Sequence, residues 1–201
     1  MIKFYLNREL SEKLDIRLSK WKRWSREFLP PDPLGGMQSG YARQYTIDQA
    51  FTVFLGGHLV ADLHFSIPEA KQIGKELSPW INRHKKTLTV NAAERKVEDI
   101  QVYIFKQLPS PSEGRAFVYL ERICLSDEPH ERADPHTRHA VYTEKPIPVA
   151  SSSNGVDKSD RLNKIDSRIL YASRLYDRFM SRMTGREKTE RQRTEPVRSK
   201  E

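Results

Sequence analysis

The segment SKWKRWSREFLPP, residues 19–31, constrains the fold more than any other part of the chain, because it interleaves basic residues with tryptophans and ends at two prolines. A helix advances about 100° per residue, so the indoles of Trp21 and Trp24 share one side of it. The opposite side is basic and carries Lys22, Arg23 and Arg26. The segment therefore predicts a short amphipathic helix with an aromatic inner side and a cationic outer side.

The cationic side carries one sign of charge. Five basic residues and no acidic residue occur from Arg17 to Arg26, whereas a solvated helix face usually mixes the two signs. Each indole can bury about 150–250 Å², more than so short a helix needs to stay attached. Two interpretations follow: a passive basic surface helix, or a helix anchored by its tryptophans so that its cationic side enters a groove of DNA. We favour the second.

Capping and turn residues divide the first 86 residues further. Asn7 is predicted to cap a short helix, RELSEKL, and Ser19 to cap the cationic helix. The proline- and glycine-rich stretch FLPPDPLGGMQSGYARQY, residues 28–45, predicts a loop that doubles back as a two-stranded wing.

Two capping boxes then begin two longer helices, one formed by Thr46 with Gln49 and one by Ser66 with Glu69. The first helix, IDQAFTVFLGGHLVADL, contains a Gly56–Gly57 pair that costs about 2 kcal/mol relative to two alanines. The pair indicates either close backbone packing or a break in the helix. The second helix is predicted to turn inward Ile67, Ala70, Ile73, Leu77 and Trp80.

Three motifs in this order resemble the MerR-type winged helix-turn-helix family. WKRWSREFLP resembles the exit of that family's recognition helix, and GYARQYT resembles its wing signature Gly-Tyr-Arg-x-Tyr-Ser. HFSIPEAKQI is similar to the start of its fourth helix, with His64 where the signature has glycine. The resemblance covers about residues 3–82, or two fifths of the chain.

Carried over by position, the resemblance implies that Lys22, Arg23 and Arg26 face the duplex. It implies that Arg43 is the arginine of the wing, and that Tyr41 or Tyr45 braces the wing against backbone phosphates. Ala42 adds a residue to the wing signature, and a strand-rich segment stands where the family has its long dimerisation helix. The predicted DNA-binding residues are Arg17, Ser19, Lys20, Lys22, Arg23, Arg26, Tyr41, Arg43 and Tyr45.

Alternating apolar residues predict a small antiparallel sheet within residues 87–149. DIQVYIFKQL and RAFVYLERICL form its central pair, and HAVYTEKPIPV supplies an outer strand because prolines are confined to sheet edges. TLTV, residues 87–90, is a further candidate edge. The sheet can serve effector binding, dimerisation or partner docking. A polar linker, ASSSNGVDKS, follows at residues 150–159.

Residues 160–184 predict an amphipathic helix, and the charged residues 185–201 predict a disordered tail. The helix allows three interpretations: packing back onto the sheet, a short coiled coil in a homodimer, or insertion into a groove of another protein. Its apolar seam consists of Leu162, Ile165, Ile169, Ala172, Tyr176, Phe179 and Met183.

Several function classes are excluded or disfavoured. Cys124 is the single cysteine, so neither an intramolecular disulfide nor a cysteine-built metal site is expected. The histidine-rich segment around Asp134 reads as a solvated loop rather than a metal site; its histidines are His130, His136 and His139. We find no phosphate-binding glycine loop, no catalytic constellation and no apolar run near the roughly 20 residues that span a bilayer. We expect no enzymatic activity, no cofactor and no metal.

The sequence predicts an α+β chain. Its segments are a winged helix-turn-helix of four helices plus a wing at residues 1–86, the sheet, the linker, the C-terminal helix and the tail. With a net charge of +8, the predicted partner is double-stranded DNA. The predicted function is a sequence-specific transcriptional regulator of the bacterial kind, cytoplasmic and nucleoid-associated. The alternatives are an architectural or mobile-element DNA binder, excisionase-like or chromosome-anchoring, and a protein-interaction adaptor that uses the C-terminal helix.

Overall fold

The computed structural model describes residues 3–32, 42–89, 97–107, 117–125, 141–149 and 166–185. In these ranges the chain is α+β and has antiparallel sheets. The helices are α1 (Asn7–Leu14), α2 (Leu18–Phe28), α3 (Ile47–Ala61), α4 (Ile67–Thr89) and α5 (Ala172–Thr184). The strands are β1 (Tyr5–Leu6), β2 (Gln44–Tyr45), β3 (Val97–Lys106), β4 (Phe117–Leu125), β5 (Val141–Pro146) and β6 (Asp166–Tyr171).

The chain forms two compact units whose bounds differ from the predicted segments. One unit consists of Met1–Asp62 with Arg178–Glu201, and the other of Leu63–Asp177. The predicted boundary at residue 86 lies inside α4. The predicted linker and nearly all of the predicted tail lie outside the described residues.

In the first unit, β1 pairs antiparallel with β2, which puts Tyr5 opposite Tyr45. A two-stranded wing was expected within residues 28–45, but residues 33–41 lie outside the described ranges, and the described partner of β2 is β1. Phe179, near the end of α5, is fully buried in this unit. Its ring centroid lies 5.3 Å from that of Phe51 and 5.5 Å from that of Phe54, both in α3.

Both predicted capping boxes are confirmed. The backbone N–H of Gln49 donates to Oγ1 of Thr46 at 3.2 Å, and the backbone N–H of Thr46 donates to Oε1 of Gln49 at 3.0 Å. Ser66 and Glu69 make the same reciprocal pair, at 2.8 and 3.4 Å. These local bonds fix the starts of α3 and α4 in the way the sequence spacing predicts.

The other two predicted caps are wrong. The N-cap positions of α1 and α2 are Leu6 and Arg17, and neither side chain makes a capping hydrogen bond. Asn7 lies inside α1 and accepts a hydrogen bond from the hydroxyl of Tyr45 at 2.6 Å. A partner distant in sequence has therefore taken the side chain that was expected to cap the helix.

The second unit holds a four-stranded antiparallel sheet in the order β5-β4-β3-β6. The predicted central pair is confirmed as β3 with β4, and the predicted outer strand is β5, at an edge. One face of the sheet packs against α4. Tyr119 of β4 donates its hydroxyl to Glu76, and Oε1 of Glu121 lies 2.9 Å from Nε2 of His84. The expected strand TLTV is wrong, since its described residues end α4.

The predicted helix at residues 160–184 is correct only in its second half. Residues Asp166–Tyr171 form β6, whose backbone pairs with β3 and puts Ile169 opposite Tyr103. The helix begins at Ala172. A six-residue ladder with β3 pairs the backbone here, and Leu170 is buried whereas Ile169 and Tyr171 on either side of it are more exposed.

The apolar seam of that helix does not lie on a free surface. Leu162 and Ile165 fall outside the described residues, and Ile169 is in β6. The remaining seam residues are buried within the chain: Ala172, Tyr176, Phe179 and Met183. A coiled coil or a groove-binding helix built on this seam would need those side chains at the surface. Burial of these side chains in the described part of the chain speaks against both interpretations. The helix does pack on its own chain, but Phe179 lies against α3 and not, as the third interpretation had it, against the sheet.

Glu69 carries a charge pair as well as a cap. Nζ of Lys106 lies 2.6 Å from its Oε1. The hydrogen bond from Lys106, together with one from the backbone N–H of Ser66, lowers the pKa of Glu69 from 4.5 to about 2. Because the folded-state pKa is the lower one, the contribution of this carboxylate to stability is complete above pH 4.5 and is lost as the pH falls toward 2. Both side chains are partly exposed, so solvent reduces the contribution.

We expect a Glu69→Gln variant to separate the charge pair from the cap, because glutamine can also complete a capping box. The variant should be slightly less stable than the wild type at pH 6, and the difference should shrink as the pH falls from about 4.5 to 2. Urea unfolding of both proteins at intervals across this range measures it. A stability difference that stays constant from pH 6 to the acid limit would contradict the assignment.

Candidate nucleic-acid interface

The inner side of α2 is aromatic, as the sequence predicts. Trp21 is fully buried and Trp24 is only 7% exposed. The ring of Trp21 meets that of Tyr45 edge-on, with 5.8 Å between their centroids. The two indoles therefore anchor α2 in the core of the first unit.

The Gly56–Gly57 pair of α3 provides the surface on which α2 lies. The helix runs through both glycines without a break. A Cβ added at Gly56 would lie 2.5 Å from the ring of Phe28, and one at Gly57 would overlap the six-membered ring of Trp24. Of the two alternatives for this pair, close packing is therefore the correct one.

The outer side of α2 is cationic and open. Lys22, Arg23 and Arg26 are all exposed. Within the described part of the chain, none of these three side chains has a carboxylate within ion-pair distance. Arg17, Ser19 and Lys20 are also exposed, and Nζ of Lys20 lies 4.6 Å from the centre of the Trp24 ring. The cationic face thus points away from the core, opposite the tryptophans.

A short turn sets the orientation of α2 relative to α1. Asp15, Ile16 and Arg17 connect the two helices, and Asp15 adopts the left-handed conformation with φ 53° and ψ 49°. Oγ of Ser11 donates to the carbonyl of Ile16 at 2.7 Å and closes the turn.

A groove of about 820 Å³ borders the edge of the cationic face that carries Lys22 and Arg26, and Asp32 lines it as well. Four of the side chains that line it are basic: Arg8, Lys22, Arg26 and Arg43. Two exposed leucines, Leu6 and Leu18, line it as well. The sequence prediction missed Arg8 and Leu18. Arg8 lies on α1, outside the motif, and Leu18 is an apolar residue within a basic segment.

Arg43 and Tyr45 are held by the protein itself. The guanidinium of Arg43 donates to the carbonyl of Pro30 at 2.8 Å and lies 4.0 Å from the carboxylate of Asp32. Tyr45 is 1% exposed and gives its hydroxyl to Asn7. This corrects the expectation for Tyr45, which braces β2 from the inside and has no surface for a phosphate. Tyr41 lies outside the described residues.

Neither a protein-family model nor a curated protein matches this sequence. None of the helices in the described ranges combines the length and apolar character needed to cross a membrane. Across the same ranges, no three His, Cys, Asp or Glu side chains converge where a metal ion could be held. The predicted loop that contains His130, His136 and His139 lies outside those ranges.

Proposed function

We propose that the chain is a sequence-specific DNA-binding regulator whose α2 enters the major groove. The observation that carries this proposal is the exposed cationic face that Lys22, Arg23 and Arg26 form on α2, opposite two buried tryptophans. A helix anchored on one side and cationic on the other matches the needs of a duplex, whose phosphates line both edges of the major groove. The resemblance of residues 3–82 to MerR-type winged helix-turn-helix domains supports the same proposal.

The basic residues have different roles in this proposal. Lys20 and Lys22 contact phosphates, which fixes the position of the protein without reading sequence. Arg23 and Arg26 reach guanine edges, where a guanidinium can donate two hydrogen bonds to O6 and N7. Arg43, tied to Pro30, keeps the base of the wing beside the groove. The wing then lies on the backbone or in the minor groove.

Buried seam residues weaken the adaptor alternative. That alternative needs the apolar side of the C-terminal helix at the surface, yet Tyr176 and Phe179 are buried in the described structure. The architectural alternative uses the same cationic face and differs only in sequence preference. Sequence preference is therefore the property to measure.

We expect binding of the full chain to duplex DNA to weaken steeply with salt. If five or six basic groups neutralise phosphates, log K should fall with log salt at a slope of roughly −5. Fluorescence anisotropy of a labelled duplex across a salt series measures the slope. The full chain is required because Phe179 completes the core beneath α3. A slope near zero would overturn the proposal.

Selection from a random-sequence duplex pool tests specificity. We expect one enriched motif, bound at least about 10³-fold more tightly than random duplex at physiological salt. Equal affinity for all duplexes, together with bending of the bound DNA, would replace the regulator with the architectural alternative.

A further inference from the structure

Leu18 is an apolar residue inside a cationic surface. It is the first residue of α2, it is 37% exposed, and its neighbours Arg17 and Ser19 are exposed too. The buried anchors of α2 are Trp21 and Trp24, and Leu18 is far more exposed than either. Its side chain instead lines the groove that carries four basic residues.

The spacing puts Leu18 in line with two of those basic residues. Leu18, Lys22 and Arg26 follow each other at intervals of four and therefore lie along one side of α2. All three line the same groove. A duplex held by Lys22 and Arg26 would thus also be in reach of Leu18, at the N-terminal end of the helix.

The chemistry of the major groove identifies what an apolar side chain can read there. The N-terminal residues of a recognition helix are the ones that contact base edges. Leucine has no hydrogen-bond donor or acceptor in its side chain, so it gains nothing from the polar atoms of guanine, adenine or cytosine. The apolar group on a base edge in this groove is the C5-methyl of thymine.

We propose that Leu18 is a specificity-determining residue that packs against the C5-methyl group of a thymine in the bound site. This inference rests on the proposed function and adds to it the identity of one base. Lys22 supplies charge that holds the phosphates, Arg26 reads a guanine, and Leu18 makes a second contact that depends on sequence. Because the contact is apolar, it contributes little to the dependence on salt.

Deoxyuridine tests the contact directly, since it pairs like thymine and lacks only the methyl group. Each thymine of the selected duplex is replaced in turn by deoxyuridine, and the affinity of the full wild-type chain is measured. At one position in each site we expect about a fourfold loss, the ratio for removing one methyl group from an apolar contact. In Leu18→Ala, the thymine and deoxyuridine duplexes should bind equally.

The control variants separate this contact from general effects. Phe4→Ala removes another exposed apolar side chain of the same unit that is absent from the groove lining, and it should keep the fourfold ratio. Leu18→Met keeps an apolar side chain and should keep most of the fourfold ratio. Both duplexes are measured with one protein sample, so a change in the folded fraction cancels in the ratio.

The outcomes separate this inference from the proposed function. Steep salt dependence with a selected motif, but no effect of deoxyuridine at any position, would overturn the Leu18 contact alone. A deoxyuridine effect that persists unchanged in Leu18→Ala would overturn it as well. If the wild-type chain does not bind DNA even at low salt, the proposed function and this inference are both wrong.

Discussion

Replacing Lys22, Arg23 and Arg26 together with alanine is expected to cut DNA affinity by roughly 200-fold or more at 0.1 M salt. The lost phosphate contact of Lys22 reduces the salt slope by about 0.9, and the two lost guanine contacts cost about 1–3 kcal/mol each. All three side chains are exposed. Exposed substitutions of this kind usually change the free energy of unfolding by about 0.5 kcal/mol or less. The variant should therefore remain folded, and its affinity for DNA should depend less steeply on salt than that of the wild type.

A matched variant controls for net charge. Lys75, Arg83 and Lys145 are also exposed but belong to the other compact unit. Their replacement with alanine lowers the net charge by the same amount. The salt slope of this variant should stay close to that of the wild type. Equal losses of DNA affinity in the two triple variants would mean that binding depends only on the total charge of the protein. The assignment of α2 to the major groove of DNA would then be wrong.

The parts of the fold and site that the sequence predicted are those governed by local rules. The two-sided character of α2 follows from helical periodicity alone, and the structure confirms which side holds Trp21 and Trp24. The capping boxes at Thr46 and Ser66 need only residues three positions apart. In each case the partners are close in sequence, so the pattern contains the whole interaction.

The parts that were wrong depend on partners distant in sequence. Ile169 has the spacing of a helical seam, yet it lies in β6 because the backbone pairs there with β3. Tyr45 belongs to a motif that implies a phosphate contact, yet its hydroxyl is used by Asn7, 38 residues away. Long-range pairing and burial overrode local spacing at both positions.

The position of His64 lies between these cases. The family signature has glycine there, and this chain departs from it. His64 adopts φ 55°, in the left-handed region where glycine has no steric penalty. A residue with a side chain therefore holds a conformation here that favours glycine.

Substitution of Gly57 with alanine is expected to destabilise the protein by about 3 kcal/mol, the upper part of the range for overpacking a core. Helix propensity alone would predict the opposite, a gain of about 1 kcal/mol. The added Cβ would overlap the ring of Trp24, which is buried and cannot swing into solvent. Chemical denaturation of the wild type and the variant measures the change.

Gly74→Ala is the matched control, because Gly74 is also helical but has nothing within 4 Å of an added Cβ. It should gain the full propensity term of about 1 kcal/mol. If the two substitutions changed stability by the same amount and in the same direction, the close contact between α2 and α3 would be refuted.

The Gly57 contact also links stability to the proposed function. Trp24 is the residue that meets Gly57, and it belongs to the helix that presents the cationic face. Displacing its ring should move α2, so Gly57→Ala is expected to weaken DNA binding even under conditions where the variant is folded. Trp24→Phe replaces the indole with a smaller ring. In the double variant, the losses of stability from the two substitutions should be less than additive. Additive losses of stability would mean that the two side chains do not share this space.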